Sequence, residues 1–215
     1  MSAADFAHVT NWVFDLDNTL YPPSARLFEQ IEVRMTDFVM ASLGVERPEA
    51  DRLRKHYWRT YGTTLAGLMR EHGVDPGPYL IEVHEISFAT LTPDPALRAG
   101  IQALPGRRFV FTNGSSPYAE RVLEARGLNG LFDGVYGVEH ADFHPKPDAA
   151  AYREVFALAA LVPAQAAMFE DDPRNLLVPH DLGMRCVHVA EAPVAAPHIH
   201  HHTADLAGFL ASLAH

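Results

Sequence analysis

Short apolar runs that each stop abruptly at polar residues constrain this chain more than any other feature. Val13-Phe14 leads into Asp15-Leu16-Asp17-Asn18-Thr19, Phe109-Val110-Phe111 into Thr112-Asn113-Gly114, and Ala166-Ala167-Met168-Phe169 into Glu170-Asp171-Asp172. A fourth run, Val135-Tyr136-Gly137-Val138, leads on to Pro145-Lys146-Pro147. Runs this short and this rich in Val and Phe read as buried strands. In an open α/β sheet the crevice lies outside the carboxyl ends of the strands, so the polar residues after each run are brought to one place.

Strand-like runs fall near residues 9–14, 107–112, 134–138, 166–170 and 184–189. Helical stretches separate most of them. Pro117 opens one that runs to Arg126 and is closed by Gly127, and Pro147 opens another that runs to Ala160. Strands alternating with helices imply an α/β fold with a parallel sheet covered on both faces. The interval from about 24 to 92 breaks the rhythm: it holds no convincing strand, and Leu27, Ile31, Met35, Phe38 and Val39 form a helical stripe. It is too long for a simple crossover and reads as an inserted helical domain, with Pro22-Pro23 and Thr92-Pro93-Asp94-Pro95 as stiff hinges. The expected division is a core of residues 1–21 and 93–215 and a helical domain of 22–92.

With 215 residues, 48% of them hydrophobic, the chain can bury a substantial core. Its formal net charge of -10 argues against a nucleic acid polymer or an anionic membrane as partner, since both need a basic stripe. One cysteine, Cys186, lies in an apolar run; it forms no disulfide framework and is expected in the core of a protein from a reducing compartment. Met1 to Phe6 lacks the basic and apolar regions of a leader, and no apolar stretch approaches the ~18 residues of a membrane span. A cytoplasmic monomer or homodimer is expected.

Two carboxylates two residues apart at a strand end can point the same way, because strand side chains alternate faces. Asp15 and Asp17 can both face the crevice. One carboxylate can attack phosphorus and form an acyl phosphate, while its neighbour moves a proton to the leaving oxygen and later takes one from water. Mg2+ held by carboxylates, a carbonyl oxygen and water would bring nucleophile and phosphate together despite their shared charge.

Phe14-Asp15-Leu16-Asp17-Asn18-Thr19-Leu20-Tyr21-Pro22 resembles the first motif of the haloacid dehalogenase-like (HAD) phosphatases. Thr112 in Phe111-Thr112-Asn113-Gly114 resembles their second, Lys146 their third, and Glu170-Asp171-Asp172 their acidic fourth. All four occur in the family's order. The resemblance implies a Rossmann-like core with strand order 5-4-1-2-3 and a helical cap of subfamily I. It also implies that Asp15 is the nucleophile and Asp17 the acid/base, the Asp17 carbonyl also facing the metal. Asp171 would be the main acidic metal ligand, assisted by Glu170 or Asp172. Thr112, the Asn113 and Gly114 amides and Lys146 would hold the phosphoryl oxygens. Asp-Asn-Thr-Leu-Tyr-Pro, Val138-Glu139-His140-Ala141-Asp142 and Phe169 to Leu176 resemble the pyrimidine 5'-nucleotidase branch, although Arg174-Asn175 stands where relatives carry a further Asp.

The implied activity is a Mg2+-dependent phosphomonoesterase acting on a small phosphorylated metabolite, a pyrimidine nucleoside 5'-monophosphate first, with phosphoglycolate or a sugar phosphate as the competing substrates. A haloacid dehalogenase is disfavoured by the retained Asp17, and a non-catalytic phosphate-binding regulator by the intact motifs. Taken alone, Thr112 could serve as a helix N-cap, a use that does not exclude phosphate binding. His198, His200, His201 and His202 read as a solvated linker before a terminal helix capped by Thr203. His140 and His144 read as loop residues, and Tyr57, Trp58 and Tyr61 as core of the helical insertion rather than a base-stacking surface.

Overall fold

All five expected runs form strands, seen in a computed structural model that describes residues 3–213. They are β1 Asn11–Phe14, β2 Arg107–Phe111, β3 Gly134–Tyr136, β4 Ala166–Glu170 and β5 Arg185–Val189. A sixth, β6 His201–Thr203, pairs with β5, and the all-parallel sheet runs β3-β2-β1-β4-β5-β6. The expected order 5-4-1-2-3 is therefore kept, with one strand added at its edge.

That strand corrects the reading of His198 to His202 as a linker: Val187 stands opposite His201, and His188 opposite His202. Without it β5, buried along most of its length, would present a row of unpaired backbone groups at the sheet edge. Thr203 is not the cap of the last helix. Its hydroxyl accepts from the Asp205 amide at 3.0 Å, and the Asp205 carboxylate accepts from the Gly208 amide at 2.9 Å.

Side chains alternate across the sheet as the period of 2 requires. Trp12, Phe14, Val110, Ala167, Phe169 and Val187 enter one apolar cluster, while Val13, Phe109, Phe111, Met168 and Cys186 enter the other. The first face is covered by the helices α5 Pro95–Ala103, α6 Ser116–Ala125 and α9 Leu206–Ala211, which contribute Ile101, Val122 and Leu210. The second is covered by α7 Ala149–Leu158, which contributes Tyr152 and Val155, with the short α8 Leu177–Asp181 beside it. Cys186 is buried and free, as expected of a core residue.

Between β1 and α5 lie only helices and turns: α1 Leu27–Leu43, α2 Arg47–Tyr61, α3 Thr64–His72 and α4 Pro76–Val83. Leu27, Ile31, Phe38 and Val39 of the apolar stripe are buried and Met35 packs against them. No helix among the described residues is long and apolar enough to cross a membrane. Both chain segments that connect this block to the sheet meet Arg126 at the end of α6. Its guanidinium donates to the Leu20 carbonyl at 3.1 Å, to the Thr92 carbonyl and to the Asp94 carboxylate at 2.8 Å.

Helices α2 and α3 approach so closely at Gly67 that a Cβ there would stand 2.2 Å from Cγ of the buried Tyr57 ring. Gly67→Ala gains about 1 kcal/mol of helix propensity, but the base of a packed ring cannot swing away and overpacking costs about 1–3 kcal/mol. The variant should unfold at lower urea concentration than the parent; an equal or higher midpoint would show that the two helices can separate freely.

Candidate active site

The loops after β1, β2 and β4 meet where the strand order reverses, under a cavity of about 470 Å3 roofed by the helical insertion. Asp15, Asp17, Asn113, Gly114, Glu170, Asp171 and Asp172 line its floor; Phe28, Ile31, Arg54 and Trp58 are among the roof residues. Thr112 and Lys146 sit one layer lower, at 0% and 1% exposure, outside the cavity wall. All of the expected site residues are thus brought together, but in two tiers.

Lys146 is the centre of the lower tier. Its Nζ donates to Asp15 Oδ1 at 2.7 Å, to Glu170 Oε2 at 2.7 Å and to the Phe111 carbonyl at 2.9 Å, which uses all three ammonium hydrogens. Burial pulls the lysine's pKa down, but the two carboxylates outweigh it and hold the amine firmly protonated. Its backbone is clamped by Asn113, whose side chain accepts from the Lys146 amide at 2.7 Å and donates to the Lys146 carbonyl at 3.0 Å. Thr112 accepts from the Gly114 amide at 2.9 Å, so it shapes the turn after β2. The N-cap of α6 is instead Ser115, whose hydroxyl accepts from the Tyr118 amide.

Asp17 stands apart from that triad. Its Oδ1 accepts from Tyr21 and Tyr118 hydroxyls, each at 2.6 Å. Burial, with the nearby Asp15 carboxylate, raises its pKa to about 6 against the lowering effect of the two tyrosines. Tyr118 was not singled out by the sequence; it lies one helical turn beyond Gly114, on the face of α6 turned to the site. Its ring is stacked on His84 of the roof at 4.2 Å.

Asp15, Glu170 and Asp171 can each offer a carboxylate oxygen with all three atoms within 4.8 Å of one another. Burial first, then the neighbouring carboxylates, pushes Asp15 and Asp171 well above the ordinary aspartate range. Fully ionised, the three acidic groups would outweigh the one lysine, which is why Asp15 and Asp171 resist ionisation, and hard oxygen donors at this spacing suit a small divalent cation. Of the two candidates to assist Asp171, Glu170 belongs to this group. Asp172 instead holds Arg174, with Nη2 at 2.5 Å, and this bonding keeps its carboxyl below the usual range despite burial. The Asp17 carboxylate is engaged by the tyrosines and does not join the cluster.

Arg174 also corrects the reading of Trp58 as core. Trp58 is 47% exposed, and the Arg174 guanidinium lies over its ring at 3.9 Å, joining the insertion to the loop after β4. Tyr57 is buried, as expected, and Tyr61 is half-buried against the core of the insertion. His140 Nδ1 accepts from the Gly137 amide of its own turn at 3.1 Å, and His144 pairs with Asp148 at 3.5 Å; neither lines the cavity.

His84, 6% exposed, faces Ser115 through Nδ1 at 3.1 Å. Burial lowers its pKa from the ordinary 6.5 to about 4. The unfolded chain therefore binds the extra proton first, and the stability this histidine contributes is complete above pH 6.5 and lost as pH falls toward 4. His84→Gln should flatten the rise of unfolding free energy across that window by about one proton's worth of slope, measured by urea titrations at several pH values. Identical slopes in parent and variant would show that His84 is not buried neutral.

A sequence model of the family described as haloacid dehalogenase-like hydrolase matches residues 12–183. Phosphate metabolism protein 8 of Saccharomyces cerevisiae is 26% identical over 83% of this chain and 61% of its own length, so the chain spans less than two thirds of that relative. Validoxylamine A 7'-phosphate phosphatase of Streptomyces hygroscopicus subsp. limoneus is 28% identical over 84% of this chain and 87% of its own. In fold, the chain is similar to CbbY from Rhodobacter sphaeroides, solved in complex with phosphate, with a TM-score of 0.65 at 21% identity, covering 95% of this chain and 99% of that one.

Proposed function

Because the chain belongs to the haloacid dehalogenase-like hydrolase family, we propose that it is a phosphomonoesterase that works through an aspartyl-phosphate on Asp15. The observation that carries this reading is Asp17: a second carboxylate, held by two tyrosine hydroxyls beside the first and titrating near 6, suits a group that must give and take a proton near neutrality.

In the first half-reaction an Asp15 carboxylate oxygen attacks phosphorus, the bond from phosphorus to the ester oxygen breaks, and Asp17 gives that oxygen its proton. In the second, water attacks the same phosphorus, Asp17 takes the proton from the water, and the bond to Asp15 breaks to release inorganic phosphate. Lys146 keeps the Asp15 carboxylate oriented and offsets charge as the phosphoryl group arrives; Thr112 holds the turn after β2 by taking the Gly114 amide, and the Asn113 backbone amide of that turn would serve the phosphoryl oxygens. Asp15, Glu170 and Asp171 would hold Mg2+, with the Asp17 carbonyl as a further ligand, and the ion would neutralise the charge shared by nucleophile and phosphate.

Residues 22–92 act as a cap that closes over the substrate and excludes bulk water while the acyl phosphate forms, then opens to admit the water that hydrolyses it. The substrate is a pyrimidine nucleoside 5'-monophosphate. The cavity volume of about 470 Å3 supports an organic group of that size over one as small as phosphoglycolate. A dehalogenase reading has no use for Asp17 and its two tyrosines.

Asp15→Asn should lower phosphate release from p-nitrophenyl phosphate at least about a thousandfold while leaving the thermal unfolding transition in place. Exhaustive chelation of Mg2+ should abolish parent activity, and added Mg2+ should restore it. Full activity in the variant, or in the chelated parent, would refute the mechanism.

A further inference from the structure

The last residue pair of the ladder between β4 and β5 sets Glu170 opposite His188, so the two side chains leave the sheet on the same face and Asp171 follows just past the pairing. His188 is 2% exposed, and its Nε2 donates to the Asp171 backbone carbonyl at 3.0 Å. A carbonyl oxygen can only accept, so the hydrogen of this contact sits on Nε2. The other end of the same peptide is held as well: the Asp172 amide donates to Glu170 Oε1 at 3.2 Å. A peptide unit is planar, so these two bonds fix the plane that follows Asp171 from both ends.

The ring holds this place at a cost. Its Nδ1 is buried and finds no hydrogen-bond partner among the described residues, while the His202 ring of β6 tilts against it with centroids 5.4 Å apart. A leucine of similar bulk would spare that orphan atom, so packing alone does not call for a histidine here. What the imidazole supplies is the N–H aimed at the Asp171 carbonyl. The Asp171 carboxylate itself is met by Asn18 Nδ2 at 3.4 Å, a long contact. The hold on the backbone therefore helps to set where that carboxylate stands against Asp15 and Glu170, whose oxygens it approaches within 4.8 Å.

Resting on the reading that Asp15, Glu170 and Asp171 hold Mg2+, we infer that His188 is a positioning residue for that ion's site. By taking the Asp171 carbonyl it keeps the following peptide turned so that the Asp172 amide meets Glu170 Oε1, while Glu170 Oε2 stays on Lys146. The two neighbouring acidic ligands are thereby joined into one rigid unit. Without this donor the peptide is free to rotate, its amide leaves Glu170, and the carboxylates no longer stand preset for the ion. Partners just beyond the direct ligands of a metal typically change its affinity about 10–100-fold.

The test titrates Mg2+ into the full chain by calorimetry, after chelation and dialysis, for the parent, His188→Leu, His188→Gln and His188→Asn. The Mg2+ dependence of p-nitrophenyl phosphate hydrolysis is measured in parallel. His188→Leu should raise the Kd for Mg2+ about tenfold or more, and the Mg2+ concentration that half-saturates hydrolysis should rise by the same factor. A glutamine carries its amide nitrogen about as far from the backbone as Nε2, whereas an asparagine falls short. His188→Gln should therefore keep most of the affinity and His188→Asn should lose it. That pair decides the matter if His188→Leu fails to fold, because a merely structural role for the ring would not separate the two in metal affinity. Parent-like Mg2+ affinity in folded His188→Leu or His188→Asn overturns the inference, and leaves the phosphomonoesterase reading standing while the parent hydrolyses the ester. A parent that binds no Mg2+ overturns both. Affinity lost in His188→Leu and kept in His188→Gln, with no ester hydrolysed by the parent, would support the positioning role and refute the phosphomonoesterase reading.

Discussion

Everything at the strand ends depends on one buried ammonium. Lys146 draws Asp15 from β1, Glu170 from β4 and the Phe111 carbonyl of β2 to a single nitrogen, so three adjacent strands are joined at their carboxyl ends by one side chain. Removing one partner from a buried ionic group of this kind typically costs about 3–5 kcal/mol, because the charges left behind have no solvent. The arrangement is also incomplete by charge: with Asp171 included, three carboxylates face one cation. A divalent ion and a phosphate added together change that balance far less than either alone, which is why such a site suits metal-assisted phosphoryl transfer.

The helical insertion is tied to this centre at several points. Arg126 binds backbone carbonyls of both connecting segments, at Leu20 and Thr92, and so fixes where the insertion leaves and rejoins the sheet. Trp58 rests on Arg174, which Asp172 holds next to the acidic loop. At Gly62, with φ of +87°, the end of α2 comes so near the Lys146 loop that a Cβ would stand 3.2 Å from the Lys146 carbonyl oxygen. His84 and Tyr118 stack across the same boundary. The position of the roof and the geometry of the floor are therefore set through shared residues.

The strands and the floor of the site were largely legible because their signals are local. An apolar run that ends at a polar residue needs no partner to be recognised, and Asp15, Asp17, Thr112 and Asp171 each sit just past such an end, while Lys146 follows β3 only after a further helical turn. The β6 strand was not legible, since three residues of His201–Thr203 carry no period and exist as a strand only because β5 offers an edge. Trp58 could not be separated from Tyr57 by spacing, because the exposed one is defined by Arg174, more than a hundred positions away. Arg126 and Tyr118 gave no signal for the same reason: an arginine or tyrosine on a helix takes its role from what it meets across the fold.

By itself the sequence determined the class of fold, the places of five strands along the chain and the kinds of group that gather at their ends, because hydrophobic period and strand-end chemistry are properties of neighbouring residues; the spatial order of those strands was implied only by the family resemblance. Only the tertiary structure decided how those groups divide the work. It set Lys146 beneath Asp15 and Glu170, turned Asp17 to the two tyrosines and chose Glu170 over Asp172 for the acidic cluster. Each of these outcomes depends on burial and on distances between residues remote in the chain, which no local pattern encodes.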